Sequence, residues 1–505
     1  MPKTRKKIKT PFLIWLLALI LPINASAIGF SFTQIQEIIT GGGAVSSVAE
    51  DFNEDGFEDL AIANSFSGTI SILTGTEAGT FETPINLWVG NSPYSLASGD
   101  FNEDGHIDLA VTNWGSLSGN IVVLINDGAG SFSLSANLPT ADTFYPCPVT
   151  ILTSDFNNDG HLDLAVGHMR DNSVSLFLGS GDGSFSLPLN FKFGTEVIVG
   201  STDYLGIMSI KAGDFNKDGN LDIAAVHSKD SKVFILFGNG NGSFISGTSL
   251  PIGSNSRSLV VADINGDGNN DLIAGGQDSM FVFLGNGNGN FLLKSIFTLG
   301  YLQLSFVTVD FNNDGNLDIA APHFSNNTLE IMAGEGNGEF TEPLFTLPVG
   351  NRPRGVIAPD LNNDTLPDLV VTNQLSNSVS IFLNTAPPLL EVNIDIKPDS
   401  SPNCVNLKSN GSVSVAILGD GMIDVTEIDI SSLELAGAAV LVKKNGEPQA
   451  SFEDVNRDGF TDLILHFPVR NLRLTGKETS MELRGELKTG RPIKGSDDIC
   501  FTGIK

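Results

Sequence analysis

The amino-acid sequence predicts an all-β protein: a seven-bladed β-propeller closed by an N-terminal strand and followed by a β-sandwich-like domain. Three observations lead to this prediction. The first seven copies of a nine-residue acidic segment follow one another at intervals of 47 to 59 residues, and each copy is followed by hydrophobic stretches of strand length. The chain also contains 55 Gly and 33 Phe among its 505 residues. Repeats near fifty residues are typical of propellers or arrays, and this composition suits short strands joined by tight turns.

The N-terminal residues 1–27 are predicted to be a secretory signal peptide. Five basic residues from Lys3 to Lys9 precede an apolar stretch over residues 11–23, and Ala25-Ser26-Ala27 offers a small-residue cleavage site. These are the three parts of an export signal, and the alternative is an uncleaved membrane anchor. We therefore expect a secreted protein that is extracellular, attached to the cell surface or periplasmic.

The acidic segment first occurs as Asp51-Phe52-Asn53-Glu54-Asp55-Gly56-Phe57-Glu58-Asp59. Oxygen-bearing side chains stand at its first, third, fifth and ninth positions, and glycine usually stands at the sixth. This arrangement lets a short loop wrap around a hard cation, and the predicted ion is Ca²⁺. The predicted metal ligands are the residues at these four positions of the eight copies: Asp51, Asn53, Asp55, Asp59; Asp100, Asn102, Asp104, Asp108; Asp155, Asn157, Asp159, Asp163; Asp214, Asn216, Asp218, Asp222; Asp263, Asn265, Asp267, Asp271; Asp310, Asn312, Asp314, Asp318; Asp360, Asn362, Asp364, Asp368; and Asp454, Asn456, Asp458, Asp462.

An alternative explanation is that Asp, Asn and Gly simply form good turns. That explains one such loop but not eight with the same spacing. An EF-hand or dockerin loop would need a carboxylate at position twelve, where Ile62 and Leu465 stand in the first and last copies. We expect structural ions, so that loss of calcium would loosen the blades rather than stop a reaction.

Each of the first six repeats contains four stretches of strand length, which is the content of one propeller blade. In the fourth repeat a strand follows the loop at Asp222, another covers Val233 to Phe237, and a Gly-rich turn ends at Phe244 before the last strand. The seventh repeat lacks this turn and its fourth strand, whereas residues 30–39 form an additional N-terminal strand. We expect that strand to complete the seventh blade, in preference to an open solenoid.

The repeats resemble the FG-GAP/VCBS repeats of integrin α-subunit-type propellers, which also occur in secreted bacterial proteins. The resemblance covers residues 30–384, where the Asp-x-Asn-x-Asp-Gly-x-x-Asp loop, a hydrophobic strand and the Gly-x-Gly-x-Gly-x-Phe turn recur in order. It implies Ca²⁺ in the loop between the first two strands of a blade. The seventh copy departs from the pattern at Thr365 and Pro367, which leaves its occupancy open.

The face opposite the acidic loops is predicted to bind the ligand. In an up-and-down blade, this face carries the second-to-third-strand turns and the connections between blades. The tyrosines, Arg257, Arg352 and Arg354 are placed in those connections, and Trp114 in a turn. Aromatic side chains beside hydrogen-bonding groups suit sugars or peptides, although they also cover blade rims in many proteins. The predicted ligand-binding residues are Tyr94, Trp114, Tyr145, Tyr204, Tyr301, Arg257 and Arg352.

Three histidines occupy one repeat position. His168, His227 and His323 each follow the last loop Asp by five residues, where other repeats carry mostly Asn. This exchange with Asn indicates a turn-capping role. A zinc or catalytic cluster is not expected, because the three belong to different blades.

The C-terminal part is predicted to be a linker over residues 385–391 and a separate domain over residues 392–505. Through the segment from Asn393 to Pro398 and the Asp454 loop it resembles a module appended to secreted prokaryotic proteins. Export permits a disulfide between Cys404 and Cys500, and the sequence leaves this pairing open.

The net charge of −30 opposes binding of nucleic acid through its phosphates. We expect a non-enzymatic, calcium-stabilised binding or adhesion-type protein with an extracellular glycan or protein as partner. The alternatives are an extracellular enzyme acting on polysaccharide or lipid, and a purely structural surface module. Against the enzyme, the sequence has neither a Gly-x-Ser-x-Gly elbow nor a His-Glu-x-x-His motif. The oligomeric state stays open.

Overall fold

The structure, a computed structural model, describes residues 30–502 apart from 116–118, 141–146, 171, 193, 195–205, 277, 300–304, 342, 344, 388, 399, 422, 475 and 477. The predicted signal peptide and the candidate ligand residues Tyr145, Tyr204 and Tyr301 lie outside the described residues. None of the helices among the described residues has the length and apolar character needed to cross a membrane.

The described residues between Phe32 and Asn384 form seven four-stranded antiparallel sheets. Strand β1 (Phe32–Ile39) comes first in the chain. Six sheets follow in chain order: β2 (Ala44–Glu50), β3 (Asp59–Asn64), β4 (Thr69–Leu73), β5 (Ile85–Trp88); β6 (Pro93–Gly99), β7 (Asp108–Asn113), β8 (Asn120–Asn126), β9 (Phe132–Pro139); β10 (Pro148–Ser154), β11 (Asp163–His168), β12 (Ser173–Phe177), β13 (Leu189–Lys192); β14 (Ile207–Gly213), β15 (Asp222–His227), β16 (Lys232–Gly238), β17 (Phe244–Pro251); β18 (Ser258–Ala262), β19 (Asp271–Gly275), β20 (Ser279–Gly285), β21 (Phe291–Thr298); and β22 (Val307–Val309), β23 (Asp318–His323), β24 (Thr328–Met332), β25 (Phe345–Pro348). The remaining sheet consists of β26 (Pro353–Ile357), β27 (Leu369–Asn373), β28 (Ser378–Asn384) and β1.

These sheets are the blades of an all-β propeller. The second strand of a blade, such as β3 or β11, is buried along its whole length because it packs against neighbours on both faces. This explains why those strands are continuously hydrophobic rather than alternating. Apolar clusters fill the space between consecutive blades, and one of them joins Ile62 and Phe81 of the first blade to Leu361 and Ile381 of the seventh. The ring is therefore closed.

Strand β1 completes the seventh blade, which confirms the predicted closure. It pairs antiparallel with β28, with Phe32 opposite Asn384 and Ile39 opposite Ser378. Its Gln36 side chain also binds the first blade, since it accepts the N–H of Phe81 at 2.8 Å and donates to the carbonyl oxygen of the same residue at 3.2 Å. The N-terminal strand thus joins the two ends of the repeat array.

Residues 390–502, called the C-terminal unit below, form two larger sheets and one strand pair around a single apolar core. Its elements are β29 (Leu390–Glu391), β30 (Ile394–Ile396), β31 (Cys404–Asn406), β32 (Ser412–Ile417), the 3-10 turn η1 (Val425–Glu427), β33 (Ile428–Leu435), β34 (Ala438–Ala439), β35 (Ala450–Glu453), β36 (Asp462–Pro468), the 3-10 turn η2 (Val469–Asn471), β37 (Ser480–Leu487), β38 (Pro492–Asp498) and β39 (Cys500–Thr502). The sheet orders are β29-β38-β37-β33-β34 and β30-β32-β36-β35.

Two details of this unit go beyond the sequence expectations. Cys404 and Cys500 form a disulfide, which joins the parallel pair β31 and β39. The predicted linker is shorter than expected, because its last residues, Leu390 and Glu391, form a strand beside β38.

Candidate functional site

The acidic loops connect the first and second strands of each blade. In the first loop, the Asp51 carboxylate accepts the backbone N–H groups of Asp55 at 3.0 Å and Gly56 at 2.8 Å. Asn53 accepts the N–H of Asp55 at 2.9 Å and donates to its carboxylate at 3.0 Å. Gly56 has a φ of 91°, which explains the glycine at the sixth position. The other loops repeat this pattern.

The Asp at the ninth loop position has a separate set of contacts. Asp163 is fully buried, its Oδ1 accepts the N–H of Gly179 at 2.9 Å, and its Oδ2 accepts the N–H of Phe156 at 2.9 Å. Gly179 opens the Gly-rich turn and has no room for a side chain, because a Cβ there would lie 2.1 Å from the carbonyl oxygen of Leu162. The ninth Asp therefore joins the acidic loop to the Gly-rich turn.

Burial and like charge raise the pKa values of the ninth carboxylates in the seven propeller loops. Desolvation is the main cause, and repulsion from the carboxylates at the first and fifth loop positions raises the pKa further. Backbone hydrogen bonds to the ninth carboxylate lower its pKa in part. The pKa of Asp318 rises to about 8, that of Asp368 to about 7 and that of Asp222 to about 6. Each loop thus concentrates negative charge that a cation would offset.

The loops contain the oxygen ligands that Ca²⁺ binds, but their side chains do not converge on a common coordination site in this structure. Carboxylate and amide oxygens are hard donors suited to this ion. Among the described residues, no group of three or more His, Cys, Asp or Glu side chains converges closely enough to hold a metal ion. The oxygens of Asp51 face backbone N–H groups instead. The donor chemistry fits calcium, and side-chain rotation would be needed to complete a shell.

Neighbouring loops also contact each other around the ring, which the sequence analysis did not anticipate. The fourth position of one loop meets the sixth or seventh position of the next: Glu54 pairs with His106, and Glu103 with His161. The Asn363 side chain donates to the carbonyl oxygen of Gly56 at 2.9 Å, across the junction of the seventh and first blades. The acidic loops of the seventh, first, second and third blades are therefore linked in a row on one face.

The C-terminal unit covers the sixth acidic loop. Arg484 of β37 lies against Gly315, where a Cβ atom would come within 1.8 Å of its guanidinium. The charge of Arg484 partly opposes the burial that raises the pKa values of Asp310 and Asp314. A side-chain cation from the C-terminal unit is thus positioned at one of the loops.

On the opposite face, the first strands of the blades surround a channel cavity of about 550 Å³. Tyr94 and Arg354 line it, and both occupy bulge positions at which the pairing register shifts. The prediction that they lie in blade connections is therefore wrong: they belong to β6 and β26. A bulge leaves one residue outside the ladder and re-aims its side chain, here toward the channel.

Tyr94 is the centre of a small cluster at this mouth. Nη2 of Arg354 donates to its hydroxyl oxygen at 2.6 Å, and Trp114 packs beside it with ring centroids 6.5 Å apart. Arg257 lines the same cavity and lies close enough for its pKa to respond to Tyr94 and Arg354. Tyr94 also packs on the buried side chains of Cys147 and Met208, so the cluster is supported from below.

The remaining candidates are placed differently. Arg352 does not line the channel cavity, because its guanidinium stacks on Phe324 at 4.4 Å from the ring centre. His227 and His323 cap turns, as their Nδ1 atoms accept the backbone N–H groups of Asp230 at 3.1 Å and Asn326 at 3.2 Å. Of the predicted ligand-binding residues, the structure places Tyr94, Trp114 and Arg257 close together and Arg352 apart from them.

The repeats seen in the fold match a known family. The FG-GAP-like repeat matches residues 51–111, 155–225, 214–274, 263–321 and 310–371, which together make up more than half of the chain. The chain belongs to the FG-GAP-like repeat family. The matches begin at the first Asp of an acidic loop, so the loop and the blade are recognised as one unit.

Solved structures resemble the FG-GAP propeller in fold. BBS1N, in a complex with ARL6DN soaked with mercury, is 12% identical over 70% of this chain and 96% of its own, with a TM-score of 0.50. A Lactobacillus plantarum protein is 15% identical over 67% and 91%, with a TM-score of 0.49. An Agrocybe aegerita lectin that recognises non-reducing terminal N-acetylglucosamine is 18% identical over 63% and 90%, with a TM-score of 0.43. Comparison with curated protein sequences gives no match.

Proposed function

We propose that this FG-GAP propeller is a secreted, non-enzymatic binding protein that holds a glycan at the mouth of its central channel. The observation that carries the proposal is the 2.6 Å hydrogen bond between Arg354 and Tyr94, which brings together side chains from the seventh and second blades. Trp114 and Arg257 complete a patch of aromatic and cationic groups. Aromatic faces pack on sugar rings, and the donors beside them bind hydroxyl groups.

A glycan is favoured over a protein partner by the shape of the site. The channel is concave, its cavity of about 550 Å³ lies within the range typical of small-ligand sites, and hydroxyl side chains line it. A stable protein interface would instead need roughly 800 Å² on each partner, mostly outside the channel. The bulges at Tyr94 and Arg354 direct side chains toward the axis, where a small polar ligand would lie.

Calcium is proposed as a structural ion of the acidic loops. The carboxylates at positions one, five and nine and the Asn amide oxygen at position three would hold it, as in the loop from Asp214 to Asp222. The raised pKa values of the ninth carboxylates support this proposal, because a divalent cation would offset the repulsion that contributes to them. Calcium would lock the first two strands of a blade together and take no part in a reaction.

The experiment is a glycan array probed with the purified protein in calcium and after EDTA treatment. Tyr94→Ala and Trp114→Ala should abolish glycan retention. Trp114→Ala should leave the unfolding midpoint nearly unchanged because Trp114 is exposed, whereas Tyr94→Ala should lower it because Tyr94 packs on a buried cluster. Phe66→Ala is the matched control, since Phe66 is 63% exposed in the equivalent turn of the first blade and does not belong to the Tyr94 cluster. A folded protein that retains no glycan would point to a purely structural module or a protein partner. Turnover of a polysaccharide would show that the protein is an enzyme.

A further inference from the structure

The innermost strands line the channel in two chemically distinct layers. The residue five positions before the first Asp of each acidic loop carries a hydroxyl group in six blades: Ser46, Ser95, Thr150, Ser209, Ser258 and Ser305. The residue three positions before that Asp is aliphatic in six blades: Val48, Ala97, Leu152, Val260, Val307 and Ile357. In the fourth blade this aliphatic position is occupied by Lys211, which lines the cavity.

Lys211 is a charged group without a counter-ion among the described residues. Its side chain projects into the open channel and is exposed to solvent there, although the first strands of the ring stand around it. Burial alone lowers the pKa of Lys211, and no charged neighbour in the described part of the chain adds to or opposes this effect. An ammonium group in a channel whose described lining holds no carboxylate can attract an anion from solution. An aliphatic residue would fit the layer better, so the lysine needs another explanation.

The charge of the channel is the reverse of the charge of the chain. Lys211, Arg257 and Arg354 line the cavity, and neither Asp nor Glu occurs among the described residues that line it. None of the three cations forms an ion pair with a described carboxylate. The protein as a whole carries a net charge of −30. Clefts with low-dielectric walls and charge of one sign focus the field and raise the local concentration of the opposite ion.

We infer that the channel binds an anionic group, a carboxylate, sulfate or phosphate, which Lys211 holds inside the ring while Arg257 and Arg354 attract it at the mouth. Tyr94 stands six positions before its loop Asp and Lys211 three before its own. At about 3.3 Å per residue, Lys211 lies at most about 10 Å deeper than the mouth, the length of a small sugar acid. The hydroxyl layer between them would bind the remaining ligand oxygens. Assignment of the anion to a glycan rests on the proposed function; the anion site itself does not.

Isothermal titration of the full chain with D-glucuronate, D-glucose, sulfate and inorganic phosphate tests the inference. Glucuronate should bind with saturation, glucose should bind at least about tenfold more weakly, and the sulfate and phosphate arms identify which oxyanion is preferred. Lys211→Met should weaken glucuronate binding at least about tenfold, because one partner of an enclosed charge pair is removed. Lys211→Arg should retain binding. Lys192→Met, on the exposed end of β13, is the matched control.

A second readout separates a ligand-binding lysine from a structural one. Without ligand, Lys211→Met should leave the melting temperature unchanged or raise it, since Lys211 forms no ion pair with a described carboxylate that the substitution could break. A lower melting temperature, equal affinity for glucose and glucuronate, or no binding of any of the three anions would overturn the inference. Binding of neutral glycans unaffected by Lys211→Met would overturn it and leave the proposed function intact. Anion binding that depends on Lys211, together with no binding on the glycan array, would support the anion site and overturn the proposed glycan-binding function.

Discussion

The carboxylate of Asp222 accepts the backbone N–H of Gly238, sixteen residues further along the chain, at 2.9 Å. Its other oxygen accepts the N–H of Phe215 at 2.9 Å, and the side chain is fully buried. The sequence predicts that this residue is the last ligand of a calcium loop. In the structure, Asp222 also has an architectural role, because its side chain connects the acidic loop, the second strand and the Gly-rich turn of the blade.

Asp222→Asn should therefore destabilise the propeller even when no calcium is present. Both carboxylate oxygens of Asp222 accept a backbone N–H, from Phe215 and from Gly238. An asparagine side chain has only one oxygen, so its NH₂ group would face one of these N–H groups and leave it without an acceptor. We expect a loss of about 1–3 kcal/mol in the free energy of unfolding, measured by urea denaturation in EDTA.

Asp218→Asn is the matched control within the same loop. Asp218 is exposed and its bonds to Asn216 and Asn220 can be replaced by water, so its substitution should change stability in EDTA by less than about 0.5 kcal/mol. Equal effects of the two substitutions would contradict the architectural role of the ninth Asp.

The repeat pattern was sufficient to predict the ring. The spacing of the acidic loops, the missing fourth strand after Asn384 and the additional strand before Ile39 together specified seven sheets closed by β1, as observed among the described residues. These features are local or periodic, and each blade repeats them. Turn chemistry and hydrophobic runs therefore carry enough information for this part of the fold.

The candidate site was predictable only in part. Arg354 and Tyr94 are 260 residues apart in sequence and meet because the ring brings the seventh blade near the second. Their bulges leave no clear signal in composition, so both residues were placed in connections. Lys211 could have been noticed by aligning the repeats on the first loop Asp, which shows one cation in an aliphatic layer. The contact of Arg484 with Gly315 depends on domain docking, about which repeat periodicity carries no information.

Calcium should stabilise the propeller more at high pH than at low pH. The pKa of Asp318 is about 8 and that of Asp368 about 7 in the folded chain, above the values of the unfolded chain. In EDTA, the folded state retains protons that the unfolded state loses, so stability should fall as the pH rises from about 5 to about 8. Calcium binds the deprotonated carboxylates. The difference in Tm between calcium and EDTA should therefore grow over this range, as scanning calorimetry can measure. A difference that is constant or shrinks would contradict calcium binding at the ninth Asp.

Gly315→Ala should displace the Arg484 guanidinium from the sixth acidic loop and so loosen the contact between the C-terminal unit and the sixth blade. The new methyl group would lie 1.8 Å from Nη1 of Arg484, and the backbone φ of 81° adds strain of roughly 1 kcal/mol. The expected result is faster limited proteolysis by chymotrypsin after Leu389, at the start of the C-terminal unit. Gly219→Ala is the matched control, because it has a φ of 87° at the same loop position and no atom within 4 Å of the new Cβ. Proteolysis accelerated equally in both variants would mean that backbone strain, and not the Arg484 contact, governs docking.

Removal of β1 should open the ring, and a peptide should close it again. Without residues 30–39, β28 becomes an exposed edge and Phe311 loses the ring of Phe32, whose centroid lies 5.7 Å away. The truncated protein should unfold at lower urea and aggregate.

A synthetic peptide of residues 30–40 should bind the free edge by strand addition and restore the unfolding midpoint, measured by fluorescence anisotropy and urea titration. A control peptide with Ile35→Asp and Ile38→Asp keeps the backbone donors but loses the contacts with the apolar cluster between the first and seventh blades. It should therefore bind at least about tenfold more weakly. Full stability of the truncated protein without peptide would show that β1 does not hold the ring closed.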